Sequence, residues 1–493
     1  MADFPDTPPL FDLPEDMQPP TLDVVPEATG EPAEDPAPEP TPDPAAELTA
    51  RVDAILPGIL DDLARLVAIP SISSDPARRD DVTRSAETIA RLLTDAGAAD
   101  VRIVEAGGGP AVIGHWPAPE GAPTVCLYAH HDVQPTGDPD AWTADPFTAT
   151  TVGDRLYGRG TADDKGGLAV HLAALRSFDG RPPVGVTVFV EGEEELGSPT
   201  LATLMERHHD QLAADVYVIA DSGNWAVGRP AFTTTLRGVA DATVTVSTLD
   251  HALHSGLFGG VAPDALTTLA RLLATLHHDD GSVAVEGLVT AEDPEVDYAP
   301  EQLAADMGLL PGVAQLGTGP ATARMWTRPA ISVIGLDTTR IADSSNTLIP
   351  SASARISMRL APGQDPAAAL DALADHLESH APWGAHVDVV RGETGNPGSV
   401  ALTGPYAEVA RQAVTQAWGV EPVEIGQGGS IPMVADFQRL FPGATVLITA
   451  VSDPDSRMHG IDESLHLGDF RNACVAESLL LAGLPAVATA LRR

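Results

Sequence analysis

The sequence predicts an α/β fold assembled from two chain segments, with a smaller α+β domain inserted between them. Three observations carry this expectation. Strand-length apolar runs alternate with amphipathic helical stretches from residue 48 to 237, the pattern of helices packed on a largely parallel sheet. Near Gly238 the pattern changes to long alternating strands and one-faced helices, and after Gly392 the first pattern resumes. Histidines and carboxylates sit just beyond several strand ends, where open α/β sheets gather their ligands.

Residues 1–47 are rich in Pro, Asp, Glu and Ala and have almost no aromatic side chains. Such a segment cannot bury enough apolar surface to offset its ordering entropy, so it reads as a disordered acidic tail. From Leu48, apolar residues at Val52, Ile55, Leu56, Ile59, Leu60, Leu63 and Leu66 recur at helical spacing and stop at Pro70. A second helix is expected from Asp81 to Ala96, then strands at VRIVEA, AVIGHW and TVCLYAH. In the last of these, Val125, Leu127 and Ala129 alternate with Cys126 and Tyr128. A glycine-rich turn (YGRGTADDKGG), a helix over 166–178, the strand run VGVTVFVEGEEE, a helix over 199–212 and the strand DVYVIADSG complete the first segment, 48–237.

The inserted segment, 238–393, opens with the alternating strand VADATVTVS. A helix beginning near Pro263 follows, with Leu266, Leu269, Leu273 and Leu276 on one face. After a less regular stretch come the strands RPAISVIGLD and ARISMRLAP and a helix over 365–380, a βαββ-like block. The second segment, 394–493, carries a helix over 405–418, the loop GQGGSIP, the strand GATVLITAV, a polar loop to His459 and a closing helix over 467–482.

Composition narrows the function classes. The net charge is −42, and phosphate backbones would be repelled by such a surface, so nucleic acid is not the expected partner. Residues 1–50 supply 13 of the acidic groups and no Lys or Arg, so the remainder is acidic in its own right; this reads as solubility or salt tolerance. The single lysine, Lys165, falls within the stretch from Thr124 that holds the polar strand end. Two cysteines in apolar contexts, Cys126 and Cys474, imply buried thiols rather than a disulfide framework. With no basic and apolar leader at MADFPDTPPL, a cytoplasmic protein is expected. The apolar run LLLAGLPAVATAL is too short to span a bilayer and contains Pro485, so no membrane segment is expected.

Four strand ends and one turn carry the chemistry: His130 with Asp132, Glu193–Glu194–Glu195, Asp221, His459 beyond the last strand, and Asp163 in the turn before a helix. Neutral imidazole nitrogens and anionic oxygens, without thiolates, suit zinc, manganese or cobalt. Taken singly, each position has an ordinary reading. His130 would be a core histidine, the glutamates a solvated run, Asp221 a turn cap, and His254 a surface loop residue. Glu193 is read as solvated. GRGTAD approaches a dinucleotide fingerprint but has Asp163 where glycine is required.

The pieces AHHDVQP, YGRGTADDKGG, EGEEELGS, VIADS, LHSGLFGG, NTLIP, GGSIP and MHGIDE stand in order over about residues 50–480. In this the chain resembles the co-catalytic metallopeptidase family M20, which includes carboxypeptidase G2, aminoacylase and the carnosine-type dipeptidases. WTRPAISVIGLD and RISMRLAP make the dipeptidase branch the nearest likeness. The resemblance implies a zinc-peptidase-like catalytic domain in two segments, with the insertion serving as lid and dimerisation domain.

It implies two divalent metal ions, zinc in the first place and Mn²⁺ or Co²⁺ otherwise. His130 and Asp221 would bind one ion, Glu195 and His459 the other, and Asp163 both. Asp132 would fix the tautomer of His130 from behind. Glu194 would be the general base that takes a proton from a metal-bridging water and passes it to the leaving amine. His254 would reach the partner subunit's site in a homodimer and stabilise the oxyanion, with Asn346 and Thr347 as further lid contacts. Arg359 and the Gly429–Ser430 loop would grip the free carboxylate of a small peptide.

Two departures from the family pattern stand out: Ala129 and His131 flank His130 where Gly and Tyr are usual, and Gly426–Gln427 precede GGSIP in place of a charged pair. On an alternating strand His131 points opposite to His130, which leaves the ligand role with His130. The expected reaction is hydrolysis of a dipeptide amide bond. Deacylation of an N-acyl amino acid is the alternative at the same site. A metal-binding relative without turnover is opposed by the intact Glu194 and five ligands.

Overall fold

The computed structural model describes residues 43–428 and 432–491. The fold is α/β, with an α+β insertion. Its main sheet has six strands in the spatial order Asp100–Val104, Ala111–Trp116, Gly185–Glu191, Thr124–His130, Val216–Ile219 and Thr445–Ile448. The last four are mutually parallel. Their carboxyl ends therefore open on one edge, which assembles the polar strand ends in one place.

Side-chain alternation covers both faces of this sheet. Val125, Leu127, Ala129, Val186 and Val188 pack with the helices Pro44–Val67, Lys165–Ser177 and Leu467–Leu491. Cys126, Tyr128, Phe189 and Tyr217 face the other way, against Leu204, Met205, Phe437 and Phe441. The strand Thr445–Ile448 joins the sheet beside Val216–Ile219, so the chain returns to its first core after the insertion.

The insertion forms a four-stranded antiparallel sheet in the order Ala330–Asp337, Ser351–Leu360, Gly238–Ser247, His386–Gly395. The helices Ala265–Ala274 and Pro366–Ser379 cover one face around Val244, Val246, Ile356 and Met358. The strand His386–Gly395 was not expected. It is an edge strand whose Val387 and Val389 are only half-buried, and its register shifts after Arg391, so its alternation is weak. It turns the βαββ block into a complete four-stranded layer.

Other boundaries differ from expectation. The first helix begins at Pro44, inside the segment read as tail, because proline suits the first helical turn and Glu47 meets its dipole. The rest of that segment, residues 1–42, lies outside the described residues. In the helix Ala265–Ala274, the buried face is Ala265, Thr268, Leu269 and Leu272, while Leu266 is exposed. The helix expected over 199–212 is two, Leu201–Arg207 and His209–Leu212. The closing helix continues through Pro485 to Leu491 and is long and apolar enough to cross a bilayer, but 61% of its most apolar window is buried in the protein. Phe470, Cys474, Leu481 and Leu484 make it a core helix.

Candidate metal centre

The strand Thr124–His130 delivers His130 fully buried to the open edge of the sheet. Its Nε2 lies 3.0 Å from Asp163 Oδ1 and 4.0 Å from Asp221 Oδ2. The other oxygen of Asp163, Oδ2, lies 3.0 Å from His459 Nε2, which is also 3.3 Å from Glu195 Oε2. Two clusters result, His130–Asp163–Asp221 and Asp163–Glu195–His459, each with its ligand atoms within 4.8 Å of one another. Asp163 belongs to both. All five sequence-predicted ligands thus meet in one place.

The electrostatics fit a pair of cations. Asp163, Glu194, Glu195 and Asp221 converge with no Lys or Arg ion-paired to any of them among the described residues. Burial, with crowding by Asp132, Asp163 and Glu195, pushes Glu194 up to about 7. Burial also pushes Asp221 well above the usual carboxylate range. Asp163 is held low despite its burial, because His130 and His459 hydrogen-bond to it. The same bonds, from Asp163 and Glu195, push His459 up to about 10. A divalent ion would take the place of these protons, since metal binding and protonation compete for the same lone pairs. A donor set of two imidazoles and three carboxylates with one shared oxygen pair suits two ions of the zinc, manganese or cobalt type.

A second layer holds the ligands. The Asp132 carboxylate accepts from the backbone N–H groups of Glu194 and Glu195, both at 3.1 Å. The nearer acceptor to His130 Nδ1 is the backbone carbonyl of Asp132 at 3.0 Å; the carboxylate is at 3.5 Å. Asp132 therefore acts on the glutamate turn through its side chain and on His130 chiefly through its main chain. Gln134 Nε2 donates to Glu195 Oε2 at 2.8 Å, and Asp164 Oδ2 accepts from the His130 N–H at 3.1 Å. His131 points away, with Nε2 2.8 Å from the Pro110 carbonyl oxygen, and burial lowers it to about 4. Lys165 donates to the carbonyls of Leu66, in the last turn of the first helix, and Ile69, just beyond it.

Sequence reasoning missed three residues here. Glu193 is 2% exposed, not solvated. Its carboxylate accepts from Gly109 N and Thr200 N, each at 2.7 Å, and from the Thr200 hydroxyl. The strand ends at Glu191, and the chain turns over Glu194–Leu196, so the glutamates no longer alternate as strand residues do. Glu463, the last residue of MHGIDE, is fully buried against the Asp163 turn. Arg237 precedes the strand Gly238–Ser247, on the same sheet face as Arg359 by register. Neither arginine forms an ion pair among the described residues, in a chain with 70 Asp and Glu against 28 Lys and Arg. Burial and repulsion from Arg359 lower Arg237 to about 10. Glu193 was read at its strand end but assigned to solvent, and for Glu463 and Arg237 no local pattern announces the remote partners that define them.

The residues expected as lid contacts stand in the insertion, in a ladder separate from its four-stranded sheet. His254 pairs with Thr347, and Leu253 with Leu348, in a two-residue antiparallel ladder. Ser255 N donates to the Asn346 carbonyl at 2.9 Å. His254 is exposed, and its Nδ1 accepts from Gly256 N at 3.0 Å, so Nε2 carries the proton and faces outward as a donor. No hydrogen bond or ion pair among the described residues joins His254, Asn346, Thr347 or Arg359 to the metal cluster. Gly429 and Ser430 lie outside the described residues.

Known proteins share this arrangement of chain. Residues 126–482 match the model of peptidase family M20/M25/M40. A cysteinylglycine-S-conjugate dipeptidase of Corynebacterium striatum is 35% identical over 431 residues, covering 86% of this chain and 94% of that protein. A beta-Ala-His dipeptidase of Rattus norvegicus is 29% identical over 369 residues, 70% of this chain and 73% of that one. Among solved structures, the dipeptidase Dug1p of Saccharomyces cerevisiae gives a TM-score of 0.74 at 22% identity, covering 90% of this chain and 99% of that chain. Human carnosine dipeptidase 1 gives 0.71 at 24%, covering 90% and 100%. With a partly buried cluster of imidazoles and carboxylates at the sheet edge, and with these matches over most of its length, the chain belongs to peptidase family M20/M25/M40, on its dipeptidase branch, and is a metallopeptidase.

Proposed function

We propose that the protein hydrolyses the amide bond of dipeptides and similar small peptides with a free carboxylate. The observation that carries this reading is Asp163, whose two oxygens face different histidines while Glu194 stands beside one cluster. The 35% identical dipeptidase supports the same class of substrate. His130, Asp163 and Asp221 would hold one ion, and Asp163, Glu195 and His459 the other, with zinc first and manganese or cobalt as alternatives. Ions held there supply Lewis acidity that polarises the scissile carbonyl and makes water acidic.

The chain's own groups do the rest. Glu194, pushed up to about 7 by burial, is suited to take a proton from water and return it to the leaving nitrogen. His254 presents an outward N–H and is assigned to the oxyanion of a partner subunit's substrate in a homodimer. Arg359, with Arg237 beside it, is assigned to the substrate carboxylate, because both lack a protein anion among the described residues. The same carboxylate is the expected contact of Gly429 and Ser430, which lie outside the described residues. In this reading, 44–237 and 396–493 form the catalytic domain and 238–395 the lid and dimerisation domain. Two buried free cysteines accord with a cytoplasmic location.

The test is a panel of dipeptides, their C-terminal amides and N-acyl amino acids, run after chelation and with each metal added back. Fast turnover of free dipeptides supports the reading. Turnover confined to N-acyl amino acids would move the enzyme to the deacylases.

A further inference from the structure

Glu463 lies four residues beyond His459 and is fully buried. Its Oε1 accepts from the N–H groups of Ala162 at 3.0 Å and Asp163 at 3.1 Å. Both oxygens are 3.1 Å from Gly160 N. Three N–H groups of one turn thus converge on a single carboxylate, as backbone nests do around anions. Gly160 permits this turn by adopting φ +85°.

The arrangement continues to the other metal-binding loop. Arg159 Nη1 donates to Glu463 Oε2 at 2.6 Å, and its Nη2 donates to the Gly460 carbonyl at 3.0 Å. Gly460 follows His459 directly. The Arg159 guanidinium is also packed over Trp142, 5.3 Å from the ring centroid. Gly158 N donates to the Glu463 carbonyl at 2.9 Å. The loop bearing His459, itself half-exposed, is thereby locked to the turn bearing Asp163 through Glu463 and Arg159. The first cluster depends on this arrangement only through Asp163, which it shares. His130 is set by its strand, and Asp221 follows the strand Val216–Ile219.

We infer that Glu463, with Arg159, is a positioning residue that builds the second cation position, Asp163–Glu195–His459, and leaves the first largely independent. A ligand on an exposed loop holds a cation well only when the loop is pre-set, and partners behind metal ligands typically change affinity by about 10–100-fold. Glu463 touches neither cation nor substrate in this role. It acts through the main chain of Asp163 and, with Arg159, through the loop of His459.

The inference rests on the two-cation reading of the site, and one experiment separates the two. Full-length protein is stripped with chelator and titrated with Zn²⁺ by calorimetry, and with Co²⁺ by its visible absorption. Wild type should bind two ions; fewer than two would overturn the two-cation reading itself. Glu463→Gln keeps the shape but replaces one acceptor oxygen with a donor. It should weaken the second ion about 10–100-fold and change the first by less than about 3-fold. Arg159→Met, which leaves the carboxylate in its nest but cuts the link to Gly460, should shift the second ion in the same direction and serves if Glu463→Gln does not fold. Two unchanged affinities, or an equal fall in both with a lowered melting temperature, would overturn the role of Glu463 and reduce it to a support of the fold.

Discussion

His459 Nε2 stands 3.0 Å from Asp163 Oδ2, although the two residues lie in different chain segments, one before and one after the insertion. The contact closes the second half of the centre, as the 3.0 Å approach of His130 to Asp163 Oδ1 closes the first. Asp163 is therefore the residue whose loss should be felt at both positions. Asp163→Asn should reduce metal content at both, whereas Asp221→Asn should reduce it at one. Elemental analysis after dialysis distinguishes the two, and equal stoichiometry in both variants would rule out a shared ligand.

Glu194 is assigned to proton transfer, with its neighbour Glu195 rather than Glu194 facing His459. Glu194→Ala should retain both metals while kcat falls by about 10²-fold or more. Near-normal turnover with full metal content would remove Glu194 from the proton path.

His254 presents its N–H outward from a two-residue ladder. His254→Ala should spare folding and assembly and lower kcat by about 10²-fold, as the loss of one oxyanion donor does. If His254 serves the partner subunit, mixing the inactive Glu194→Ala and His254→Ala proteins under subunit exchange should restore activity. In a hybrid, one site has both groups. Absence of recovery in demonstrated hybrids would place His254 in its own subunit's site or outside catalysis.

Arg237 and Arg359 repel one another, and an anionic group between them would relieve that repulsion. Arg237→Met should raise KM about 10-fold for dipeptides with a free carboxylate and leave C-terminal amides unaffected, with kcat little changed. An equal effect on both substrate types would assign Arg237 to packing.

One pH-dependent contribution lies away from the centre. His171 Nδ1 is 2.9 Å from the Glu477 carboxylate, and Nε2 is 2.9 Å from the Tyr128 carbonyl oxygen. Burial opposes the charged ring, but Glu477 outweighs it and raises His171 above its usual 6.5. A raised folded-state value means the pair stabilises fully below pH 6.5 and loses that contribution as pH rises through the raised value. Glu477→Gln should destabilise by about 3–5 kcal/mol at pH 6. The deficit should shrink at alkaline pH. Denaturant titrations of both proteins across that range measure it, and a pH-independent deficit would show that His171 stays neutral.

Much of this molecule is legible along the chain. Alternation in TVCLYAH places Val125 and Leu127 on one face and Cys126 and Tyr128 on the other, and the structure buries them in two separate cores. Such local patterns are readable because a strand has a period of two whatever it packs against. The ligand residues were legible for a related reason: each stands at the end of a strand or in a turn of distinctive composition.

What the sequence by itself determined is this alternation, the order of most elements, and the strand-end groups from which the family resemblance singled out five candidate metal ligands. Only the tertiary structure decided that Glu193 is clamped rather than solvated, that Asp132 serves the glutamate turn as well as His130, and that Glu463 and Arg159 lock two distant loops. It also decided that His386–Gly395 closes the inserted sheet and that the last helix runs through Pro485. The physical reason is common to all of them. A buried polar side chain or an edge strand is defined by the partner that satisfies its hydrogen bonds, and here that partner comes from a remote part of the chain that no local period can announce.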